Sequence, residues 1–482
     1  MYDIVIIGAG ITGSFIAHNL SKYDCKVLVI DKNGDIADGA SMANSAIVHA
    51  GYDPVEGTLK AKLNVRGNRM YPDICKELGT EYRECSAFVV ATDDVESKVL
   101  DTLIERAESR DIPYSDLSGD RARELERNLS GNVIRALEFP TTGIIYPWQV
   151  AIALMEEAML NGCELKLNEE VVAIDRQTDK YVIKTDCDIY EAKYVVNAAG
   201  VYADEIYSMV VPTQQNIRIT AKRGEYYVLD EMKEPVVSRV IFPVPGPKGK
   251  GILVVPTLHG NILLGPNSEL IPDKDGINTT AEALKLVKNG VSKTVDNIPF
   301  DKVIRTFAGL RPSGDTGDFI IEESKEAAGF INVACIESPG LASAPAIAEY
   351  VCDEVMKDKW CFTPKTEYTH RKPYTVMCML DNERKNEIIA KHPEFGEIVC
   401  RCCNVSKGEI IDCIRRCAGA VTVKGVKKRV GPGMGRCQGG FCEPLVVDIL
   451  AQELGIDPTE VLLDSKKSRM LVGKLDSRVT GE

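Results

Sequence analysis

The sequence is short of histidine, of net positive charge and of long apolar runs. It has only 5 histidines in 482 residues, and its formal net charge is -13. This negative charge argues against general binding to nucleic acid or to anionic membranes. No apolar run approaches the length of a membrane span, and no secretory signal precedes the first predicted strand. We therefore expect a cytoplasmic protein in which the 16 cysteines are reduced thiols or metal ligands, and not a disulfide framework.

A dinucleotide-binding motif opens the chain in residues 2–31, which read YDIVIIGAGITGSFIAHNLSKYDCKVLVID. An apolar strand leads into a glycine turn, a helical pattern follows, and a second apolar strand ends on Asp31. Gly8 permits the tight turn, Gly10 lets the backbone approach a pyrophosphate, and Gly13 lets the helix pack closely on the strand. The helix N-terminus then faces the phosphates, and Asp31 is placed to accept a hydrogen bond from a ribose hydroxyl. The motif by itself leaves FAD and NAD as alternatives.

Helical and strand-like patterns alternate through most of the following sequence. A small, polar loop at 39–53 is typical of a segment that lines a cofactor, and residues 194–200 predict a buried strand that ends in small residues. Residues 217–307 are rich in strand patterns broken by proline and glycine, which indicates an inserted antiparallel sheet. Residues 363–392 are typical of a linker. Helices are predicted at 57–78, 95–110 and 149–161, a strand at 163–167, another from 171, and a hairpin at 181–185 and 188–192.

The C-terminal part of the chain contains a cysteine pattern suited to a metal centre. Cys400 and Cys402 form a C-x-C pair, and Cys437 and Cys442 form a C-x4-C pair. Thiolates select zinc or iron–sulfur clusters, and nearby glycines free backbone N–H groups to point at sulfur. Zinc knuckles usually have C-x2-C spacing, so the pattern favours iron–sulfur while leaving zinc as the alternative. Three more cysteines lie close by and leave the choice of ligands open: Cys403, Cys413 and Cys417.

These motifs together resemble a known family. Residues 1–365 resemble the FAD-dependent D-amino-acid-oxidase-like superfamily, in the branch of L-2-hydroxyglutarate oxidases and glycerol-3-phosphate dehydrogenases and oxidases. Residues 396–455 resemble the 2Fe–2S module related to bacterioferritin-associated ferredoxin. The motifs that carry the resemblance are GAGITG, NSAIVHAGYDPVEGTLKAKLNVRGN, GIIYP, NAAGVYADEI, GILVVPT, FAGLRP, ESPGLASAPAIA, VCRC and GPGMGRCQGGFC.

The resemblance implies an α/β (α+β) fold that holds FAD and not NAD. A Rossmann-like FAD domain would carry an inserted, mainly antiparallel substrate domain and a small α-helical C-terminal iron–sulfur module. The implied division is 1–80, 145–215 and 308–365 for the FAD-binding domain, 81–144 and 216–307 for the substrate domain, 366–395 for a linker, 396–455 for the 2Fe–2S module and 456–482 for a tail.

The resemblance also implies positions for both cofactors. The expected cofactor-binding residues are Gly8, Gly10, Ile11, Thr12, Gly13, Asp31, Lys32, Asn44, Ser45, Val171, Ala199, Gly200, Gly340, Leu341 and Ala342. Gly340 to Ala342 would bring backbone N–H groups toward the flavin pyrimidine, where the reduced ring is negatively charged. The cluster ligands would be the two cysteine pairs. One departure from the family pattern is Cys403, which stands where such modules usually have an acid.

Oxidation of a secondary alcohol needs a group that removes the hydroxyl proton. His49 is the candidate base, because an imidazole titrates near neutrality and the family gives this position that role. Arg311 is the candidate clamp for a phosphate or carboxylate, since its planar fork binds such groups through two hydrogen bonds. The resemblance adds Lys250 as a second cation. Ser45 either bonds the flavin or caps a turn, and Ser338 either contacts substrate or flavin or caps the helix that follows.

We expect an FAD-dependent dehydrogenase that oxidises a small anionic secondary alcohol, with sn-glycerol 3-phosphate favoured over L-2-hydroxyglutarate because of the fused 2Fe–2S module. The electrons would leave through the cluster to a partner, either a flavoprotein or another redox protein, because the chain has no second dinucleotide motif. The alternative from another class is an electron-transfer subunit that oxidises no substrate. A pocket shared by His49 and Arg311 would favour the enzyme, and a cavity closed by side chains would favour the relay.

Overall fold

The computed structural model of the protein describes residues 1–214, 216–246, 251–359 and 362–473. These residues form twelve α-helices and twenty-two β-strands. The helices are α1 Ile11–Leu20, α2 Leu59–Leu78, α3 Asp94–Ser109, α4 Gly119–Leu125, α5 Pro147–Leu160, α6 Ala203–Val210, α7 Ala281–Val291, α8 Gly340–Tyr350, α9 Asn382–Lys391, α10 Lys407–Arg415, α11 Val423–Val430 and α12 Glu443–Leu454.

The strands belong to one eight-stranded, one nine-stranded and two small sheets. They are β1 Tyr2–Ile7, β2 Val27–Asp31, β3 Ile47–Val48, β4 Tyr82–Glu84, β5 Ala87–Ala91, β6 Ser115–Ser118, β7 Arg135–Phe139, β8 Gly143–Ile145, β9 Glu164–Leu167, β10 Val171–Arg176, β11 Tyr181–Thr185, β12 Ile189–Asn197, β13 Ile219–Leu229, β14 Val240–Pro243, β15 Leu253–Pro256, β16 Ile262–Gly265, β17 Glu269–Ile271, β18 Val303–Gly314, β19 Ile320–Glu323, β20 Phe330–Ala334, β21 Ile398–Cys400 and β22 Val405–Ser406.

The nucleotide-binding sheet has the order β10-β11-β12-β1-β2-β9, and β20 pairs with β12 and β19. Strand β1 pairs in parallel with β2 on one side and with β12 on the other. Its residues Ile4, Val5 and Ile6 are fully buried, because helices and loops cover both faces of the sheet. The carboxyl ends of β1, β2 and β12 therefore meet at one edge, where parallel sheets of this kind bind ligands.

Strand β12 is longer than the sequence pattern predicts. The pattern predicts a hairpin strand at 188–192 and a separate strand from 194, whereas the structure continues one strand through Ile189–Asn197. Its first half pairs antiparallel with β11, and its second half pairs in parallel with β20 along the same edge. The exposed Lys193, which pairs with Asp3, interrupts the apolar run and hides this continuity in the sequence.

The inserted sheet has nine strands in the order β17-β13-β16-β15-β14-β5-β7-β6, with β18 paired to β13. Its pairs are antiparallel apart from β14 with β5. The long β13–β18 pair matches Lys222 with Arg311 and Tyr226 with Phe307. The mixed α/β fold predicted from the sequence is confirmed, and the β13–β18 pair is one of the parts of the inserted sheet that reach the functional site.

The C-terminal module is a small helical unit with its own apolar core. Helix α10 begins with a capping box, in which the Ser406 side chain accepts from the Glu409 N–H and the Glu409 carboxylate accepts from the Ser406 N–H. Ile410, Val426 and Leu450 come from three different helices and are fully buried in the core of this module. Within the residues that the structure describes, no helix is long and apolar enough to cross a membrane.

The stretch that precedes the module is more ordered than its composition suggests. It contains helix α9, which begins after Asp381, a residue whose side chain accepts from the Arg384 N–H. Arg371 is buried and pairs with Glu156 of helix α5 at 2.9 Å. This buried ion pair holds the stretch against helix α5.

Candidate functional site

A cavity of about 2490 Å³ lies against the carboxyl edge of the nucleotide-binding sheet. It is lined by the glycine turn after β1, by the loop at 39–45, by the β13–β18 pair and by the N-terminus of α8. Pockets for single small ligands usually occupy about 300–1,000 Å³, so this cavity has room for a dinucleotide together with a substrate.

The glycine turn has the geometry that its sequence predicts. Gly8 has φ 111°, and a Cβ there would lie 2.4 Å from the Ala198 carbonyl oxygen. A Cβ at Gly13 would lie 2.0 Å from the Gly8 carbonyl oxygen, so only glycine lets the helix pack on the turn. A Cβ at Gly10 would meet only the Ser41 hydroxyl, at 3.4 Å. The turn is therefore packed against other backbone at Gly8 and Gly13, where a side chain would clash. At Gly10 there is space on the cavity side, so a pyrophosphate can approach the backbone there.

Ser41 is a site residue that the sequence patterns do not reveal. Its hydroxyl accepts a hydrogen bond from the Ile11 N–H at 2.9 Å, in the first turn of α1. Both Ile11 and Thr12 line the cavity. The loop composition at 39–53 pointed to the segment, but only the fold shows that Ser41 reaches the helix N-terminus.

Asp31 ends β2 at the rim of the cavity. One carboxylate oxygen accepts from the Ala9 N–H at 2.7 Å and the other from the Asn33 N–H at 2.8 Å. Burial raises the pKa of Asp31, while these two backbone bonds oppose the rise. Each oxygen keeps a lone pair for a further donor, as the predicted ribose contact requires. The neighbouring Lys32 lines the same rim and places its ammonium group 3.5 Å from the centre of the Tyr202 ring.

Most of the other predicted cofactor residues line the cavity as well: Asn44, Ser45, Val171, Ala199, Gly200, Gly340 and Leu341. Ala342 does not line it. Its carbonyl oxygen lies against Gly67 of helix α2, where a Cβ would come within 2.1 Å. Ala342 therefore serves the contact between α2 and α8. Asn44 shapes its own loop, since its side chain accepts from the Ala46 N–H at 2.7 Å.

His49 lines the cavity and is almost fully buried. Its ring lies 4.5 Å from the Tyr52 ring and 5.4 Å from the Phe242 ring, measured between centroids. The Gly51 N–H donates to Nδ1 at 3.3 Å, and the His49 carbonyl accepts from the Asn64 side chain at 2.8 Å. These contacts orient the imidazole from both its ring and its backbone.

Arg311 lines the same cavity from strand β18. Its guanidinium donates to the Asn267 carbonyl at 2.9 Å and makes longer contacts with the carbonyls of Lys222 and Arg223. No carboxylate in the described parts of the chain lies within salt-bridge distance of it. A guanidinium oriented by neutral carbonyls keeps its full charge for an anionic ligand.

Tyr226 also lies at the site, although no sequence motif predicts it. Its hydroxyl lies 3.1 Å from the Ser45 hydroxyl, and its ring stacks on Phe307 with centroids 4.6 Å apart. Burial raises the pKa of Tyr226, while the nearby Arg311 lowers it. The pairing of β13 with β18 brings this tyrosine to the wall that carries Arg311, so the register of the sheet, and not the local sequence, is what identifies it.

Ser338 lines the cavity at the end of the loop before α8. The adjacent Glu337 accepts hydrogen bonds from Lys60 and Lys222, each at 3.0 Å. Burial raises the pKa of Glu337, but the two lysines outweigh it and leave the pKa below its usual value. This ion triad ties the loop to α2 and to β13. Lys250 lies outside the described residues.

The predicted cysteine ligands come together in the C-terminal module. The Cys402 and Cys437 sulfurs are 3.6 Å apart. Hydrogen bonding from Cys403, and then from backbone N–H groups and Cys442, lowers the pKa of Cys400 to about 5 although burial opposes it. A Cβ at Gly435 would lie 2.4 Å from Cys402 Cβ, so glycine is needed for the loop to approach the thiols.

Two of the three neighbouring cysteines that left the ligand choice open have contacts elsewhere, whereas Cys403 hydrogen-bonds with Cys400. Cys413 is fully buried and donates to the Ile410 carbonyl, and Cys417 contacts the Glu156 carbonyl. In the described ranges no three His, Cys, Asp or Glu side chains converge as they would on one metal ion. Cys402 contacts Cys437, and Cys400 hydrogen-bonds with both Cys403 and Cys442, so the four predicted ligands lie together with Cys403.

Comparison with known proteins decides the family. Residues 3–354 match the family model described as "FAD dependent oxidoreductase", and residues 398–452 match the "BFD-like [2Fe-2S] binding domain". The chain belongs to the FAD dependent oxidoreductase family. Its cofactors are FAD and a 2Fe–2S cluster, so both cofactor predictions are confirmed, whereas the assignment of individual residues to them stays a prediction.

Members of this family that are similar to the chain include dehydrogenases and an oxidase. It is 45% identical to a glycerol 3-phosphate dehydrogenase of Caloramator mitchellensis, over 99% of this chain and 100% of that protein. It is 30% identical to an L-2-hydroxyglutarate dehydrogenase of Escherichia coli (strain K12), over 57% of this chain and 66% of that protein. The solved structure of dithionite-reduced L-alpha-glycerophosphate oxidase from Mycoplasma pneumoniae with FAD bound superposes with a TM-score of 0.73 at 28% identity, covering 77% of this chain and 98% of that one.

Proposed function

We propose that this FAD-dependent oxidoreductase oxidises sn-glycerol 3-phosphate to dihydroxyacetone phosphate and passes the electrons through its 2Fe–2S cluster to a partner. The observation that carries the proposal is that His49 and Arg311 line one cavity together with the glycine turn. Identity of 45% to a glycerol 3-phosphate dehydrogenase along the whole chain supports this substrate over L-2-hydroxyglutarate, because the similar L-2-hydroxyglutarate dehydrogenases are 24–30% identical over 57–74% of the chain.

The reaction removes a hydride from carbon and a proton from the hydroxyl oxygen. Bound FAD supplies the hydride acceptor. His49 would take the proton at Nε2. For this, Nδ1 must carry the other ring proton, and the long contact from the Gly51 N–H to Nδ1 must be given up when substrate binds.

The substrate's anionic end would bind at Arg311. The chain as a whole carries a net charge of -13, so an anion must be held by local cations and not by the overall field. Ser45 and Tyr226 form a hydrogen-bonded hydroxyl pair on the adjacent wall, where they would orient the substrate between the cation and the imidazole. Ser338 would contact substrate or flavin from the α8 side.

The iron–sulfur module would give the flavin a one-electron outlet. Cys400, Cys402, Cys437 and Cys442 would hold the cluster, which accepts electrons singly when bound. Because the chain has no second dinucleotide motif, the final acceptor would be another redox protein. The FAD-binding part would comprise residues 1–80, 145–215 and 308–365, as the family resemblance implies.

Anaerobic titration of the purified protein tests the proposal. Flavin and cluster absorbance are followed together while sn-glycerol 3-phosphate or L-2-hydroxyglutarate is added. We expect glycerol 3-phosphate to bleach the flavin and then the cluster. If L-2-hydroxyglutarate bleaches the flavin and glycerol 3-phosphate does not, the proposed substrate is wrong and L-2-hydroxyglutarate takes its place.

One variant tests whether the protein is an enzyme or only relays electrons. His49→Asn should abolish substrate-driven bleaching while FAD stays bound, which the flavin spectrum of the purified variant reports. Bleaching at the normal rate would reject His49 as the base. If neither alcohol bleaches the wild-type flavin but a chemical reductant fills both centres, the relay would be the better description.

A further inference from the structure

The C-terminal module is held to the FAD-binding part by two buried cations of helix α11. Lys428 is completely buried and pairs with Asp35 at 3.1 Å and with Asp38 at 3.0 Å. Arg429 donates to both carboxylate oxygens of Asp35, at 2.8 and 2.9 Å. The Lys428 ammonium also donates to the Ile36 carbonyl. Buried ion pairs of this geometry form only when both partners are in place, so α11 is docked on this loop in one orientation.

The loop that receives α11 is also part of the cofactor site. It begins directly after Asp31 and Lys32, and both of these residues line the cavity. Asp38 lines the cavity too and pairs with Lys424 of α11 at 3.2 Å. Asp38 therefore faces the cavity and also contacts the module, and Asp35, three residues before it in the same loop, holds α11.

The module itself forms part of the cavity wall. Lys424 and Lys427 of α11 line the cavity, as do Met434 and Gln438 of the loop that carries Cys437. The Gln438 side chain donates to the Met434 carbonyl at 3.0 Å, which fixes this short loop. Lys427 is a cation at this wall that would favour an anionic ligand electrostatically, and Lys424 joins the wall to the loop through its pair with Asp38.

We infer that the iron–sulfur module is a wall of the FAD site, so that FAD binding and module docking strengthen each other through the Asp35 and Asp38 loop. The coupling must be reciprocal: if docking raises the affinity for FAD by some factor, FAD must stabilise docking by the same factor. The coupling is between FAD and the module, so it does not depend on which alcohol the protein oxidises.

The first test compares FAD release from holoenzyme variants. Asp35→Asn weakens the docking of α11, Lys424→Gln removes one cavity-lining cation, and Arg415→Gln is the matched control. Arg415 lies in the same module, but it is exposed and pairs with Glu453 of that module at 2.6 Å. The rate of FAD release is measured as the rise of flavin fluorescence on dilution, and cluster absorbance is recorded in each variant.

We expect Asp35→Asn to weaken FAD binding by a factor within the roughly 5- to 150-fold range of couplings between two sites. Lys424→Gln should weaken it less, and Arg415→Gln should leave it unchanged. Wild-type FAD release from both Asp35→Asn and Lys424→Gln would overturn the inference.

A second measurement decides the question even if Asp35→Asn does not fold. Hydrogen–deuterium exchange over residues 423–430 is compared in the wild-type protein with and without FAD. Reciprocity requires slower exchange in the FAD-loaded protein, while exchange over 443–454, in the core of the module, serves as the internal reference. Equal exchange over 423–430 in the two states would show that the module docks without regard to FAD and would overturn the inference.

Discussion

The backbone of the inserted sheet packs directly against the cofactor loop at Gly309. This residue lies in strand β18, two positions before Arg311, so the two residues face the same side of the sheet. A Cβ at Gly309 would lie 1.9 Å from the Ala43 carbonyl oxygen. Ala43 is in turn two residues from Ser45. The substitution Gly309→Ala therefore pushes directly between the strand that carries the anion clamp and the loop that carries Ser45.

The size of the displacement follows from the contact distance. Ordinary van der Waals contact begins near 3.4 Å, so strand and loop must separate by about 1.5 Å to accommodate the methyl group. Both partners are backbone, so no side chain can rotate away to relieve the clash. Such overpacking costs about 1–3 kcal/mol of stability. A shift of about 1 Å in substrate-positioning groups can lower the catalytic rate about 100-fold.

The assay compares Gly309→Ala with Gly131→Ala. Nothing lies within 4 Å of a Cβ at Gly131, so this control adds the same methyl group to open space. We expect Gly309→Ala to lower kcat/KM with glycerol 3-phosphate by about 100-fold in protein that is still folded by circular dichroism. Gly131→Ala should stay within about 0.5 kcal/mol of wild-type stability with normal activity. Normal kcat/KM together with normal FAD affinity in Gly309→Ala would refute the reasoning.

Three further predictions concern charged groups and thiols. The pKa of Glu337 is lower in the folded protein than in the unfolded chain. In acid the unfolded chain therefore binds more protons than the folded protein. The stability that Glu337 contributes is lost as the pH falls, first through the pKa of the unfolded chain and then through that of the folded protein. From about pH 6 to about pH 4 the melting temperature should fall more for wild type than for Glu337→Gln, whereas parallel curves would contradict this. Glu156→Gln leaves the buried Arg371 without its carboxylate and leaves Arg416 with Asp412 alone, so it should lower the free energy of unfolding by about 3–5 kcal/mol, and an unchanged urea midpoint would argue against it. Cys402→Ser should remove the visible absorbance of the cluster and retain FAD, so a preserved cluster spectrum would exclude Cys402 as a ligand.

Local patterns identified the parts of the site that are built from consecutive residues. The glycine turn is an example, because the positive φ of Gly8 and the close contact at Gly13 are requirements of the chain segment itself. The paired cysteines are another, since their spacing restricts which thiols can share one centre. Ser41 and Tyr226 escaped prediction because each acts through a partner far away in the sequence, at Ile11 and at Ser45.

By itself, the sequence determined the dinucleotide turn, the mixed α/β fold and the presence of a thiolate centre, because each depends on apolar periodicity or on ligand spacing within a short segment. Only the tertiary structure decided that β13 and β18 bring Tyr226 and Arg311 to one wall. It alone placed Lys428 and Arg429 on the loop that follows Asp31. Register between separate strands and the pairing of buried charges depend on contacts between segments that lie from about 80 to almost 400 residues apart, and local sequence patterns do not show which of these segments pack together.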